Sequence, residues 1–158
     1  MTQKQSLNEI IRQSQIICSA LILGQLFFLA IAIYLIIQTG MGFGDVNMKD
    51  VFIYVVPSFA AISIAASFFV FKSKLSKLKE SQTLDQKLVE YRSAQIIRWA
   101  LLEGPSFFAI IVFLLTGQYL FVGIVAIIIL FFIPTFPSAN SFEQDLELTW
   151  EEKNQLGE

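Results

Sequence analysis

The chain has 158 residues, 55% of them hydrophobic and 15% charged, with a net charge of −2 and no histidine. Soluble domains carry about 25% charged residues. Here the shortage is concentrated, because 13–44, 51–71 and 104–142 contain no charged side chain at all. A soluble helix filling such runs would need a charged outer face. The composition therefore excludes a soluble globule, a disordered chain and a basic nucleic-acid binder, and leaves a single integral membrane unit.

A crossing takes about 20 predominantly apolar residues. In chain order the runs are 16–37, broken only by Ser19, Gly24 and Gln25; 51–71; 96–115, if Arg98 and Glu103 are tolerated; and 119–136. None alternates polar and apolar residues as a barrel strand would, and in lipid each segment must pair its own amides, so helices are predicted. The first run is expected to be a retained helix and not a cleaved signal, since apolar sequence continues through Tyr34 to Ile37, past the length of a signal core.

Lysine and arginine set the orientation. Residues 1–15 carry Lys4 and Arg12, and 72–95 carry Lys72, Lys74, Lys77, Lys79, Lys87 and Arg92; the 38–50 loop has Lys49 alone and 116–118 has none. Both basic segments belong on the cytoplasmic side, which places both termini there too. The expected fold is an all-α membrane protein, a four-transmembrane-helix bundle over 16–136. A basic cytoplasmic helical hairpin, 72–95, extends it between spans two and three. A cytoplasmic N-terminal segment (1–15) and an acidic cytoplasmic tail (137–158) flank the bundle.

Within the hairpin, Leu84, Leu88 and Tyr91 repeat at helical spacing, and Thr83-Leu84-Asp85-Gln86 reads as a capping box restarting a helix after a turn at Ser81-Gln82. Lys72, Lys74, Lys77, Lys79, Lys87, Arg92 and Arg98 are expected to face anionic lipid headgroups, Arg98 by reaching outward along its stem. The loop Gly40-Met41-Gly42-Phe43-Gly44-Asp45 lacks the preceding strand and the further glycine at the spacing of a phosphate-binding fingerprint, and is read as flexible. In the tail, capping boxes at Ser141–Gln144 and Thr149–Glu152 suggest short helical turns. Phe142, Leu146, Leu148 and Trp150 offer something to bury, and the tail's acids could pair with the basic hairpin.

Helices in lipid associate by close backbone approach. Ala20 and Gly24 in the first span, with Ala61/Ala65 and Ser63/Ser67 in the second, predict that these two helices make the tightest contact. The second span would lie nearest the bundle centre, and the fourth would face lipid. Pro57 and Pro105 are expected to kink spans two and three.

Glu103 stands out as a carboxylate inside a span, and such groups usually face the interior and are often functional. Counting inward from the cytoplasmic ends brings Gln25, Ser63 and Glu103 to one depth, as a buried polar cluster or candidate ion site. Packing is the favoured role, because a lone carboxylate without a second acid or a histidine makes a poor relay. Catalysis, cofactors and metal binding are not expected: Cys18 is the single cysteine, histidine is absent, and the serines have no partner base.

The stretch Arg92-Ser93-Ala94-Gln95-Ile96-Ile97-Arg98 with Ala100-Leu101-Leu102-Glu103-Gly104, and the closing Asp145-Leu146-Glu147-Leu148, resembles a group of four-span inner-membrane proteins from Bacteroidota-type bacteria. That resemblance covers most of the chain and implies a small inner-membrane protein. Ala100-Leu101-Leu102-Glu103 with 107–115 also looks like the carboxylate-bearing helix of rotary ATPase proteolipid subunits, where the position matched by Glu103 carries the ion. That second likeness spans one helix and is convergent, since the glycine-rich partner helix and the short Arg-Gln-Pro loop are missing.

The expected function is a multi-pass protein of the bacterial inner (plasma) membrane, non-catalytic, serving as an accessory or assembly component. The alternative is a proton- or cation-handling subunit using Glu103. The bilayer, anionic headgroups, and a membrane protein partner or second copy are the expected contacts; nucleic acid is not.

Overall fold

The computed structural model describes residues 7–40, 42–44, 48–78 and 83–146. In chain order these form α1 (Leu7–Thr39), α2 (Met48–Leu75), α3 (Leu84–Thr116) and α4 (Leu120–Phe132), then a 3-10 turn (Ile133–Thr135) and α5 (Ala139–Asp145). No strand occurs among the described residues. Three helices, α1, α2 and α3, are long and apolar enough to cross a membrane, and α4 with its following turn is a shorter apolar segment.

Local chemistry sets the helix ends. At the start of α3 the expected capping box of Thr83 and Gln86 is present, with the Gln86 side chain accepting a hydrogen bond from the Thr83 N–H at 3.2 Å. Lys72 and Lys74 occupy the last turn of α2, where the helix dipole favours cations. The first box expected in the tail is displaced. Helix α5 begins earlier, with Ser138 as its cap accepting from the Ser141 N–H at 3.1 Å, so Ser141 sits inside the helix. The second box, at 149–152, lies outside the described residues.

The far end of α3 has a further device. The final turn of a helix leaves its carbonyls without intrahelical partners. Gly117, in the left-handed conformation at φ 68°, donates its N–H to the Phe113 carbonyl at 2.7 Å. The next two carbonyls are met from outside the helix: Phe43 N–H donates to Leu114 and Gly44 N–H to Leu115, at 3.0 and 2.8 Å. Residues 42–44, expected to be flexible, are therefore docked on the α3 terminus. Glycine permits the approach, since a Cβ at position 42 would run into the Leu115 carbonyl oxygen and lie 2.6 Å from the Thr116 carbonyl carbon.

The centre of the bundle is α3, correcting the expectation that α2 holds it. Half of α3's apolar stretch is buried, against 22% in α1 and in α2. It packs most extensively on α2, then on α4 and α1, whereas α1 and α2 scarcely meet. Ala20, Gly24, Ala61 and Ala65, the small residues expected to join α1 to α2, are exposed. The other expected pair of α2, Ser63 and Ser67, is buried, in a stripe with Val56, Ala60 and Phe71. Small residues are so dense on α2 that several faces qualify for close approach, and spacing alone does not choose among them.

Helix α4 is not uniformly lipid-facing either. Phe121, Val125, Ile128 and Phe132 recur at helical spacing and are fully buried, while Ile127 and Leu130 on other faces are exposed. It runs back along α3. The Phe113 and Tyr119 rings meet near its start, and Trp99 Nε1 donates to Thr135 Oγ1 just past its end. Pro57 and Pro105 both lie inside uninterrupted helices.

Beyond the apolar stretches, at the end carrying Lys72 and Lys74, a separate layer forms. Ile10 and Ile11 of α1, Phe71 of α2, Leu88, Tyr91 and Ala94 of α3, and Phe142 and Leu146 at the tail pack together.

Candidate functional site

Three residues of α3 share one face just before its charge-free run: Tyr91, Gln95 and Arg98, spaced by four and then three positions. Helix α5 is held over this face by Phe142, whose ring lies 4.4 Å from that of Tyr91, and by a hydrogen bond from Tyr91 Oη to Asp145 Oδ2 at 2.6 Å. Gln95 Nε2 donates in turn to Tyr91 Oη at 3.2 Å. The chain Gln95 to Tyr91 to Asp145 thus links the middle of α3 to the tail. It is short and charge-assisted at its acceptor end, the stronger class of hydrogen bond.

Arg98 was expected to reach the headgroup region. Its guanidinium lies over two rings of α2, with its carbon 4.4 Å from the centroid of Phe68 and 4.7 Å from that of Phe71. Stacking of this kind suits a planar, weakly hydrated cation and holds it in one place. Its Nε is buried without a hydrogen-bond partner, as is Oε1 of Gln95. Tyr91, Gln95, Arg98, Thr135 and Asp145 line one cavity of about 160 Å³ between α3, the 3-10 turn and α5. Thr135 is fixed beneath it, accepting from Trp99 Nε1 at 3.2 Å and donating to the Phe132 carbonyl at 2.7 Å. The link between that turn and α5 is tied to α1 by Gln15 Nε2, which donates to the Pro137 carbonyl at 2.9 Å.

Among the other basic residues named from the sequence, Lys72, Lys74 and Lys77 are exposed and Arg92 is half-buried. Lys87 departs from that outward set at 8% exposure, its long stem covered within the layer. Lys79 lies outside the described residues.

The residues expected to form an intramembrane cluster sit near one level. Phe28 and Phe107 rings are 5.6 Å apart, which puts Gln25 near the level of Glu103 and Gly104, one turn back on each helix. Ala60 and Ile64, on either side of Ser63, pack in the same apolar cluster as Trp99 and Leu102. Gln25 and Ser63 are buried and Glu103 is half-buried. Gln25 bonds to neither of them, for its amide nitrogen and oxygen both lack partners, as does Ser106 Oγ one turn beyond Glu103.

Nothing local in the sequence singles out Asp145 among the acids of the tail, which read as bulk charge. The usable signal was the stripe Tyr91, Gln95, Arg98 on the face that continues into Leu102, a polar ladder where a core helix would be apolar. No family model, no curated protein and no solved structure matches the chain, so its role is read from its own residues.

Proposed function

We propose that the chain is a small integral protein of the bacterial inner membrane, crossing it four times with both termini in the cytoplasm, and that it is a non-catalytic accessory or assembly component. The observation that carries this reading is the layer at the basic end, where α5 and the ends of α1, α2 and α3 close into one packed platform. Such a layer gives a membrane anchor a rigid surface, and the exposed Lys72, Lys74 and Lys77 sit on it. Lysines at that end favour the cytoplasmic face and anionic headgroups.

The fourth crossing is supported by the course of α4. Its 13 residues and the 3 of the turn return alongside α3 from Tyr119 to Thr135. They reach roughly 25 Å, a shortfall against a hydrocarbon core of about 30 Å that local thinning covers cheaply.

A second reading, a proton- or cation-handling subunit, is favoured by one observation: Gln25 near the Glu103 level and Ser106 one turn beyond it bury polar atoms without hydrogen-bond partners among the described residues. Liposomes loaded with a pH-sensitive dye separate the two. The accessory role predicts that the wild-type protein conducts no faster than protein-free vesicles and that Glu103→Gln changes nothing. Flux in the wild type, lost in a folded Glu103→Gln variant, would establish the second reading in place of the first.

A further inference from the structure

The cavity beneath α5 is lined by a cation and an anion that attract each other without forming a close ion pair. Arg98 is pinned on the Phe68 and Phe71 rings, and Asp145 is engaged by the Tyr91 hydroxyl. Gln95 also lines the cavity; it is 4% exposed and its Oε1 is enclosed by protein. Tyr91 takes up Asp145 Oδ2, and Oδ1 of that exposed carboxylate can accept from a ligand that brings an N–H.

The cavity's position narrows the ligand further. Phe136, 41% exposed, is part of its wall, and Ile133 and Ile96 beside it are exposed apolar side chains. On α2, Phe71 of the same wall is followed directly by the exposed Lys72. This is the level at which an apolar surface gives way to a charged one, the depth of lipid headgroups.

We propose that this cavity binds the phosphoethanolamine group, with the phosphate on the Arg98 guanidinium and the primary ammonium on the Asp145 carboxylate. A guanidinium with a free edge suits a phosphate oxygen. A primary ammonium has three N–H donors to offer the carboxylate, whereas a choline ammonium has none and a glycerol headgroup carries no cation. Phosphoethanolamine is a compact group, and about 160 Å³ accommodates it. The proposal rests on the membrane reading given above. It is distinct from the attraction of the exposed lysines for anionic lipid, which does not discriminate between two zwitterionic headgroups.

The test uses the full-length protein in nanodiscs made from equal parts phosphatidylethanolamine and phosphatidylcholine, with the lipids retained on release counted by native mass spectrometry. The wild type is expected to retain ethanolamine lipid about tenfold over choline lipid, the value of one charge-assisted hydrogen bond. Asp145→Asn keeps an acceptor for Tyr91 and so keeps the fold, but removes the charge, and it should bring the ratio close to one. Arg98→Gln should lower the retention of both lipids alike. Adding soluble O-phosphoethanolamine distinguishes the sources: displacement of the lipid at millimolar concentration assigns the site to the free compound, and no displacement assigns it to the lipid. A wild-type ratio near one, or a preference that survives Asp145→Asn, overturns the proposal. Failure of the chain to enter nanodiscs at all overturns the membrane reading and this one together.

Discussion

Tyr91 and Asp145 are 54 positions apart in the chain, yet the phenol of one donates to the carboxylate of the other at 2.6 Å. Tyr91 is 1% exposed and is packed on both sides, by Phe71 at 5.7 Å and Phe142 at 4.4 Å between ring centroids. The tail docks chiefly through apolar burial, with the hydrogen bond fixing its register. Phe142→Ala is expected to release α5, costing about 3 kcal/mol. Tyr91→Phe should cost only about 1 kcal/mol, because the exposed Asp145 regains water. Limited proteolysis of the tail in detergent checks the order: rapid cleavage in Phe142→Ala and near wild-type protection in Tyr91→Phe.

Gly42 is required by the backbone it lies against. Gly42→Ala forces residues 42–44 off the α3 terminus and loses the bonds to the Leu114 and Leu115 carbonyls, which together amount to roughly 2 kcal/mol. Gly24 gives the opposite result, since a Cβ there meets nothing within 4 Å and alanine is the better helix former. Thermal unfolding in detergent should show a lowered midpoint for Gly42→Ala and an unchanged or slightly raised one for Gly24→Ala.

Gln25 carries two buried amide atoms without partners. Replacing such a group by an apolar one of similar size removes a penalty of about 1–2 kcal/mol. Gln25→Leu is therefore expected to raise the unfolding midpoint. A lowered midpoint would mean that the amide is bonded to Glu103 or Ser63 in the folded protein.

The register of α4 on α3 rests on Trp99 and Thr135, whose indole-to-hydroxyl bond is 3.2 Å. Both residues are buried. A double-mutant cycle with Trp99→Phe and Thr135→Ala should return a coupling of about 1 kcal/mol. Additive effects would show that the two groups do not bond.

Much of this architecture was legible in the residues. The charge-free runs marked the apolar helices, and Thr83 with Gln86 marked the start of α3. What spacing could not resolve was which face of each helix meets which partner. On α2 the alanines and serines cover more than one face, so the pair Ala61/Ala65 and the stripe Ala60/Ser63/Ser67 looked equally fit for close approach. The choice was made by α3, whose bulky Trp99, Leu102, Ile110 and Phe113 need the smaller surface. The docking of residues 42–44 was hidden for a related reason: glycines announce freedom, and only the unpaired carbonyls of a distant helix end show how that freedom is used. At the cavity, Tyr91, Gln95 and Arg98 formed a readable stripe, but their partner Asp145 was one of several tail acids with nothing local to single it out.

In the proposed topology α4 crosses the membrane and returns the tail to the side of the basic residues. Cys18 is the chain's single cysteine and is fully buried, which leaves an almost blank background for labelling. Single cysteines placed at the exposed positions Gln38, Ser76, Tyr119 and Asn140 can be probed in intact bacterial cells with a membrane-impermeant maleimide. Gln38→Cys and Tyr119→Cys should label at once, and Ser76→Cys and Asn140→Cys only after the inner membrane is permeabilised. Labelling of Asn140→Cys in intact cells, with Ser76→Cys still protected, would put the tail on the opposite face and contradict the four-crossing account.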